Sequence, residues 1–218
     1  MAAVASRAMR PTPRKAEQPV LWIVAGPNGS GKSSFYNRTD IEGWGGSVWI
    51  INPDLLTLQI SEREQVENPN LEAVQRIERW LYDSVDVYQT IGVETVLSTP
   101  KYRPLVERAQ AQGFEVRIIF IVLRSAELQV ERVRIRVAEG GHDVPAEKII
   151  ARRGRSFGEF AWFLERADAC YVYDNSTGEP QLLAEKIGPA MYLWGDLPTD
   201  MGEALKSAGT FLYRFGSQ

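Results

Sequence analysis

Short apolar runs recur along the chain, and segments with helical spacing separate them. Five runs have the Val- and Ile-rich composition of strands buried on both faces: Val20–Ala25, Val48–Ile51, Val93–Leu97, Val116–Leu123 and Cys170–Tyr173. Between them, apolar positions repeat every three to four residues from Leu71 to Tyr88, and a further helix is predicted from Pro104 to Gln112. Alternating strands and helices predict an α/β fold, with a parallel central sheet and helices on both faces.

The hydrophobic pattern weakens after Asn175. Gln181–Lys186 and Met191–Leu193 are predicted edge strands, and Met201–Ser207 is a predicted short helix. Glycines and prolines between these segments indicate turns rather than the start of a second domain. We therefore predict one domain over residues 20–218, in which residues 177–218 form an extension without assigned chemistry.

Residues 1–19 differ in composition from the rest of the chain. They contain four basic residues against one acidic residue, Glu17, and no continuous apolar segment. This composition favours a disordered basic arm over a secretory signal, with a transit peptide as the alternative.

Charge and cysteine content narrow the classes of function. The chain has 25 Lys and Arg residues against 28 Asp and Glu residues, and its formal net charge is −3. Because residues 1–19 are basic, the net charge of the rest of the chain is more negative than −3. No nucleic-acid partner is therefore predicted. No apolar run approaches the roughly 18 residues that span a bilayer, so no membrane segment is predicted. Cys170 is the only cysteine, which excludes an internal disulfide and favours a reducing cytoplasm.

The segment after the first predicted strand matches the phosphate-binding pattern G-x-x-x-x-G-K-[ST] at every specified position. It consists of Gly26, Pro27, Asn28, Gly29, Ser30, Gly31, Lys32 and Ser33. Glycines let such a loop wrap a polyphosphate with its backbone N–H groups. The pattern assigns Lys32 to the β and γ phosphates and the Ser33 hydroxyl to Mg²⁺, and Ser34 adjoins the same nucleotide site. The alternative is an ordinary turn between strand and helix.

A phosphate-binding loop identifies a nucleotide but not a reaction. The chain has no LSGGQ-like signature, and the apolar run Val116–Leu123 is followed by Arg124 instead of an acidic pair. It also has no NKxD motif, by which GTPases recognise guanine. These absences argue against ABC-type ATPases and GTPases, and motors and helicases are normally larger. Small-molecule kinases remain, which need a carboxylate near the acceptor hydroxyl and mobile arginines over the phosphates.

Asp54 directly follows the second predicted strand. In a parallel sheet the carboxyl ends of the strands line the ligand crevice, so this carboxylate is expected beside the phosphate-binding loop. There it would accept the proton of the acceptor hydroxyl or orient that hydroxyl. The alternative is a structural role as the N-cap of a helix that begins at Leu55.

Polar residues at both ends of the third predicted strand are further candidates for substrate binding. Glu94 lies at the start of that strand, where a carboxylate either faces a ligand or marks an exposed strand end. Ser98 and Thr99 lie at the carboxyl end, where their hydroxyls meet substrate or cap the turn before the next proline.

An arginine-rich pair of helices is predicted over about residues 126–160. The pair is joined at Gly140 and Gly141, and it carries Arg132, Arg134, Arg136, Arg152, Arg153 and Arg155. This makeup is typical of a lid that closes on phosphates. The alternative is a solvated basic helix pair neutralised by nearby glutamates. His142 is the only histidine, so it is interpreted as a hinge residue rather than as part of a metal or catalytic cluster.

Together, these motifs resemble the zeta-toxin-like P-loop kinases. The resemblance covers about Val20 to Ser176, with the following segments in order: Gly26–Ser33, Asn52–Asp54, Glu94–Ser98, Arg136–Pro145, Arg152–Arg153 and Tyr173–Ser176. It implies the three-layer P-loop NTPase fold of the kinase type, with a helical Arg-rich lid. It also implies phosphorylation by ATP with Mg²⁺.

The roles of functional residues in this family are carried over only to the positions of this sequence that match the family's motifs. The resemblance implies that Lys32 binds the phosphates, that Ser33 binds Mg²⁺ and that Asn175 lies near the adenine. It also implies that Asp54 is the base and that Glu94 is a carboxylate that binds the substrate. Arg136 and one of Arg152 or Arg153 match the lid arginines. In the characterised toxins the acceptor is the sugar of UDP-N-acetylglucosamine, and a small antitoxin protein holds the toxin inactive.

The chain departs from the larger toxins because their substrate-binding insertions are reduced here. This departure leaves the small-molecule acceptor open, with UDP-N-acetylglucosamine as the leading prediction. A second hypothesis is another small-molecule kinase, such as an antibiotic or sugar kinase. A third is an ATP-dependent binding module in which a protein partner reads the ordered lid.

Overall fold

The computed structural model describes residues 18–38, 50–141 and 143–214. The predicted N-terminal arm up to residue 17, the predicted hinge residue His142 and the first part of the predicted second strand lie outside the described residues. The described strands are β1 (Val20–Ala25), β2 (Ile50–Ile51), β3 (Ile91–Thr95), β4 (Glu115–Val122), β5 (Ala169–Asp174), β6 (Gln181–Ile187), β7 (Ala190–Leu193) and β8 (Leu212–Arg214).

Helices connect most of these strands. They are α1 (Lys32–Arg38), α2 (Pro53–Arg63), α3 (Pro69–Asp86), α4 (Arg103–Ala111), α5 (Ala126–Ala138), α6 (Ala146–Arg166) and α7 (Thr199–Ser207), with a 3₁₀ turn at Pro100–Tyr102. In the described part of the chain, no helix combines the length and the apolar character needed to cross a membrane.

All eight strands form one sheet in the order β2-β3-β1-β4-β5-β6-β7-β8. Strands β1 to β5 are parallel, β6 is antiparallel to both β5 and β7, and β8 pairs in parallel with β7. The predicted α/β fold with a parallel central sheet is confirmed. The two strands predicted in the extension are confirmed as β6 and β7. Their predicted position at the edge is wrong, because both continue the sheet and β8 lies outside them.

Helices cover both faces of the sheet, as predicted. On one face, the largest apolar cluster joins strand residues such as Ile23 and Phe120 to Ile77 of α3, Phe157 of α6 and Leu205 of α7. On the other face, a smaller cluster packs Phe35 of α1 against Trp22, Val24 and Ile119. Alternation of side chains along each buried strand supplies both clusters, because successive residues point to opposite faces.

The helical stripe predicted from Leu71 to Tyr88 corresponds to α3. Its buried residues Ala73, Ile77, Leu81 and Val85 recur every four residues on the face toward the sheet. The helix begins at Pro69, because the Asn68 side chain accepts a hydrogen bond from the Leu71 N–H and so caps the first turn.

Candidate active site

A cleft of about 830 Å³ opens at the carboxyl ends of β1 and β3. Parallel strands bring their carboxyl ends to one edge of the sheet, and loops that follow them build the walls. The lining includes the loop between β1 and α1, the start of α2, the segment from Glu94 to Tyr102, and arginines of α5 and α6. The structure therefore gathers most of the predicted site residues around one space.

The loop from Gly26 to Ser33 requires glycine at three tight positions, of which Gly26 and Gly31 have the closest contacts. Gly26 has φ +149°, and a Cβ there would overlap the carbonyl oxygen of Ile121. Gly31 has φ +84°, and a Cβ there would overlap the side-chain amide of Asn175. That amide donates a hydrogen bond to the Ser30 carbonyl at 2.9 Å, so the loop after β5 supports the phosphate-binding loop directly.

Lys32 is buried at the base of this loop. Its ammonium donates hydrogen bonds to the carbonyl oxygens of Gly26 (2.9 Å) and Pro27 (3.3 Å), and it lies 4.0 Å from Glu94 Oε1. Burial lowers the pKa of Lys32 because it penalises the charged form, and the negative charges of Glu94 and Asp54 partly oppose this shift. Arg136 also lowers the pKa of Lys32, so its positive charge acts on the P-loop lysine.

Three polar side chains form a hydrogen-bonded cluster next to Lys32. The Ser33 hydroxyl donates to Glu94 Oε2 at 2.8 Å, and Asn52 Nδ2 donates to the same oxygen at 2.8 Å and to Ser33 Oγ at 3.2 Å. Hydroxyl and carboxylate oxygens are the donors that Mg²⁺ prefers, so Ser33 and Glu94 fit this ion. Asn52 was not among the sequence-predicted site residues, although it precedes Pro53 within the segment that carries the resemblance.

Glu94 has a different position in its strand from the predicted one. Strand β3 ends at Thr95, so Glu94 lies at its carboxyl end rather than at its start, and it is only 9% exposed. Leu97 adopts a left-handed backbone with φ +55°, which turns the chain away from the sheet. The alternative of an exposed strand end is therefore wrong, and the carboxylate faces the cleft.

Asp54 lies in the first turn of α2 and not at its cap. The cap is Asn52, whose side-chain oxygen accepts hydrogen bonds from the N–H groups of Asp54 (2.9 Å) and Leu55 (3.2 Å). The alternative in which Asp54 caps the helix is thus wrong. The Asp54 side chain is exposed and lines the cleft.

Ser98 and Thr99 also line the cleft, on the wall that faces the lid. Thr99 precedes the 3₁₀ turn, but its side chain makes no capping hydrogen bond there. The alternative in which Thr99 caps this turn is therefore wrong, and both residues lie on the wall of the cleft. Lys101 and Tyr102 extend this wall, and Val74 of α3 adds an apolar contact surface.

Helices α5 and α6 bring four arginines to the cleft: Arg132, Arg136, Arg152 and Arg155. Arg153 does not belong to this group. It is 2% exposed, donates hydrogen bonds to Asp200 of α7 (2.5 and 3.0 Å) and to the Leu123 carbonyl (2.9 Å), and stacks on Phe157. The prediction of Arg153 as a site residue is corrected, because its guanidinium joins α6 to α7; Arg152 is the member of the pair on the cleft.

A smaller pocket of about 220 Å³ adjoins the P-loop on the side of Asn175. Arg132 forms one wall and donates hydrogen bonds to the carbonyls of Asn175 (2.8 Å) and Ser176 (2.9 Å). Ser34 and Phe35 form the opposite wall. Arg132 was predicted only as one of six lid arginines; its spacing of four residues from Arg136 was the available signal for a shared helical face.

Comparison with known proteins identifies the family. The sequence model of the AAA domain family matches residues 21–156, which include the P-loop, both site carboxylates and most of the lid. The chain belongs to this family. A curated but uncharacterized protein of Haemophilus influenzae is 26% identical to this family member over 145 residues, which cover 61% of the chain and 96% of that protein.

Solved structures show the same fold. The PezAT chromosomal toxin-antitoxin system of Streptococcus pneumoniae matches with a TM-score of 0.57 and 14% identity, over 90% of this chain and 86% of that chain. The AvrRxo1-ORF1:AvrRxo1-ORF2 complex with sulphate ions matches with a TM-score of 0.64 and 18% identity, over 88% of this AAA domain protein. The chain spans 64% of the length of that AvrRxo1 chain. The predicted three-layer α/β P-loop fold is thereby confirmed, and the predicted resemblance to zeta-toxin-like P-loop kinases is confirmed at the level of the fold.

Proposed function

We propose that this protein is an ATP-dependent small-molecule kinase. The observation that carries the proposal is the convergence on one cleft of a complete P-loop, two carboxylates and four arginines. Kinases need these three components: a loop that binds the phosphates, a carboxylate at the acceptor hydroxyl, and positively charged side chains that stabilise the negative charge of the transferred phosphoryl group.

ATP would lie along the P-loop, with its phosphates at Gly26–Ser33 and its adenine in the smaller pocket beside Asn175. The second assignment is supported by a wall of that pocket, where the guanidinium of Arg132 offers a flat surface for a base. The AvrRxo1-ORF1:-ORF2 complex with ATP shares the fold, with a TM-score of 0.62 and 17% identity, which supports ATP as the nucleotide.

Mg²⁺ would be held by Ser33, with Glu94 on the same side. When bound, Mg²⁺ neutralises charge on the β and γ phosphates. Asn52 keeps Glu94 oriented through its 2.8 Å hydrogen bond, and it bonds Ser33 as well. Glu94 also lines the cleft, which supports a contact between its carboxylate and the substrate.

Transfer would use Asp54 as the base. The acceptor hydroxyl oxygen forms a bond to the γ phosphorus, the bond from that phosphorus to the β–γ bridging oxygen breaks, ADP leaves, and the hydroxyl proton moves to Asp54. Lys32, Arg136 and Arg152 would stabilise the charge that develops on the phosphoryl oxygens. Exposure of Asp54 to the cleft supports this role, because its carboxylate is accessible to an acceptor.

The acceptor that we propose first is the sugar of UDP-N-acetylglucosamine. Support comes from the wall of the cleft beyond β3, where Lys101 and Arg155 provide positive charge and Val74 provides apolar surface. Hydroxyl groups of Ser98 and Thr99 would bond to the sugar. The shared fold with the PezAT toxin-antitoxin system further supports a small antitoxin protein as a partner.

Radiolabelled transfer tests the proposal directly. Purified protein is incubated with Mg²⁺ and ATP labelled at the γ phosphate, together with UDP-N-acetylglucosamine, free sugars or aminoglycosides, and products are separated by chromatography. A labelled sugar nucleotide supports the first acceptor, whereas label in another compound selects a different small-molecule kinase. ATP binding without transfer to any acceptor would contradict the kinase proposal and favour the ATP-dependent binding module.

A further inference from the structure

The end of helix α5 places a glycine directly against Arg136. The helix ends in a Schellman motif, in which the Gly140 N–H donates to the Val137 carbonyl at 3.0 Å and the Gly141 N–H donates to the Arg136 carbonyl at 2.8 Å. Gly140 has φ +91°, the left-handed backbone that this motif requires. The two hydrogen bonds hold the backbone of Gly141 next to Arg136.

The space beside Gly141 is filled by the aliphatic stem of Arg136. A Cβ on Gly141 would lie 2.6 Å from Arg136 Cγ, 3.3 Å from its Cδ and 2.9 Å from its carbonyl oxygen. The φ angle of Gly141 lies outside the left-handed region, so an alanine there would meet no backbone strain from φ and only this steric obstacle. In many Schellman motifs a side chain at this position packs on the residue five positions earlier. Here Arg136 takes that space with its own stem.

We propose that Gly141 is a positioning residue for Arg136. The missing side chain lets the stem of Arg136 lie across the turn and directs its guanidinium to the cleft. An added methyl group would force the stem into another rotamer, because the Arg136 carbonyl is held by its hydrogen bond. This inference rests on the proposed function, which assigns Arg136 to the charge on the transferred phosphoryl group.

The Gly141→Ala variant tests the proposal against a matched control in the same lid. Gly154 of α6 has no atom within 4 Å of an added Cβ, so Gly154→Ala changes a glycine to alanine without a clash. With Mg²⁺-ATP and UDP-N-acetylglucosamine as the probe acceptor, Gly141→Ala should lower kcat about 10²-fold, because a shift of about 1 Å costs this much. ATP affinity and Tm should stay unchanged. A wild-type kcat in Gly141→Ala would overturn the proposal.

A double variant separates positioning of Arg136 from any other effect of the methyl group. In Arg136→Ala the Cγ is absent, so adding Gly141→Ala should produce no further loss of kcat. An additional loss as large as that of Gly141→Ala alone would show that the methyl group acts through another contact, and would overturn the proposal.

The side-chain resonances of Arg136 provide a readout that needs no acceptor, because the added methyl group would displace the Arg136 stem. In ¹H–¹⁵N spectra of protein labelled at arginine, the side-chain resonance that Arg136→Ala removes should shift in Gly141→Ala and stay in place in Gly154→Ala. An Arg136 resonance in Gly141→Ala at the same position as in Gly154→Ala overturns the positioning role, even if UDP-N-acetylglucosamine is not phosphorylated. Wild-type turnover in Arg136→Ala would instead contradict the proposed function.

Discussion

The two sides of the cleft hold their polar groups in different ways. On the P-loop side, Ser33 at the start of α1 is hydrogen-bonded to Asn52 and Glu94, which lie at the carboxyl ends of β2 and β3. Lys32 bonds the loop itself. On the lid side, Arg136 and Arg152 extend from two helices that a glycine-containing turn connects. Mutual hydrogen bonds keep the first group in one geometry, whereas long side chains on helices follow any movement of those helices. The two groups proposed for nucleotide binding and for charge stabilisation are thus held by different kinds of support.

The lid also contains a contrast between neighbours in sequence. Arg152 is half-buried and lines the cleft, whereas Arg153 is buried and bonds Asp200 and the Leu123 carbonyl. Successive helical residues differ by about 100° around the axis, so the two cannot share one face. Arg152 therefore lines the cleft, and Arg153 links α6 to α7 of the C-terminal extension. The extension therefore supports the lid, although none of its described residues lines the cleft.

The largest effect is expected from Asp54→Asn. The substitution keeps the shape of the side chain and removes the base, so phosphoryl transfer should fall by about 10² to 10⁴. ATP affinity and thermal stability should remain, because Asn52 and not Asp54 caps α2. Single-turnover transfer rates and calorimetric melting provide the measurements. Normal transfer by this variant would remove Asp54 from the mechanism.

Asn68→Ala is the matched control for the role of a helix cap. Asn68 caps α3 and does not line the cleft, so its loss should reduce the free energy of unfolding by about 1 kcal/mol without lowering the transfer rate per folded molecule. The pair of variants separates loss of a cap from loss of a base.

Lys32→Ala should produce the next largest effect, on the P-loop side of the comparison. It removes a charge-assisted contact to phosphate worth about 1.5–3 kcal/mol, which corresponds to about a tenfold to hundredfold loss of ATP affinity or turnover. Isothermal titration with ATP and steady-state kinetics measure both quantities. If neither changes, the phosphates do not lie at Lys32. Lys148→Ala, on the exposed side of α6, is the control for loss of a lysine.

Substitution of the two adjacent arginines should sharpen the contrast within the lid. Arg152→Ala should lower turnover by about tenfold with little change in Tm, as for a lost contact to a charged group. Arg153→Ala should instead lower the free energy of unfolding by about 1.5–3 kcal/mol, because two protein partners lose their donor. Equal effects of the two variants on both stability and turnover would contradict the assignment of separate roles.

Among these variants, Glu94→Gln should change the fold least, and it should change the pKa of Lys32. Glu94 contributes most to raising the pKa of Lys32 against burial, so its neutralisation should lower that pKa further. Between the lowered folded pKa and the higher unfolded pKa, the unfolded chain binds more protons, so stability rises with pH in that window. In Glu94→Gln this rise should begin at a lower pH than in the wild type. NMR titration of Lys32, combined with denaturant melts across alkaline pH, provides the test.

Local sequence patterns were sufficient for the P-loop and for the order of the elements. Glycine spacing, the lysine and the hydroxyl of the loop are contiguous, so the motif is visible without knowledge of distant residues. Short apolar runs between helical stripes likewise predicted the parallel sheet, because buried strands and amphipathic helices have different periods. The end of the third strand was misjudged by two residues, since the left-handed backbone of Leu97 has no local signal in a leucine.

Long-range contacts decided the remaining features of the site. The burial of Glu94 depends on hydrogen bonds from Ser33 and Asn52, which are 61 and 42 residues away. Whether Arg152 or Arg153 meets the cleft depends on the rotation of α6, which the ion pair with Asp200 and the packing of Phe157 determine. Helix and strand propensity and hydrophobic periodicity predict only the local structure of a residue's own segment. The burial of Glu94 and the orientation of Arg152 and Arg153 depend on groups that only folding brings together. The sequence alone therefore specified the phosphate-binding loop, and the tertiary structure selected the side chains that surround it.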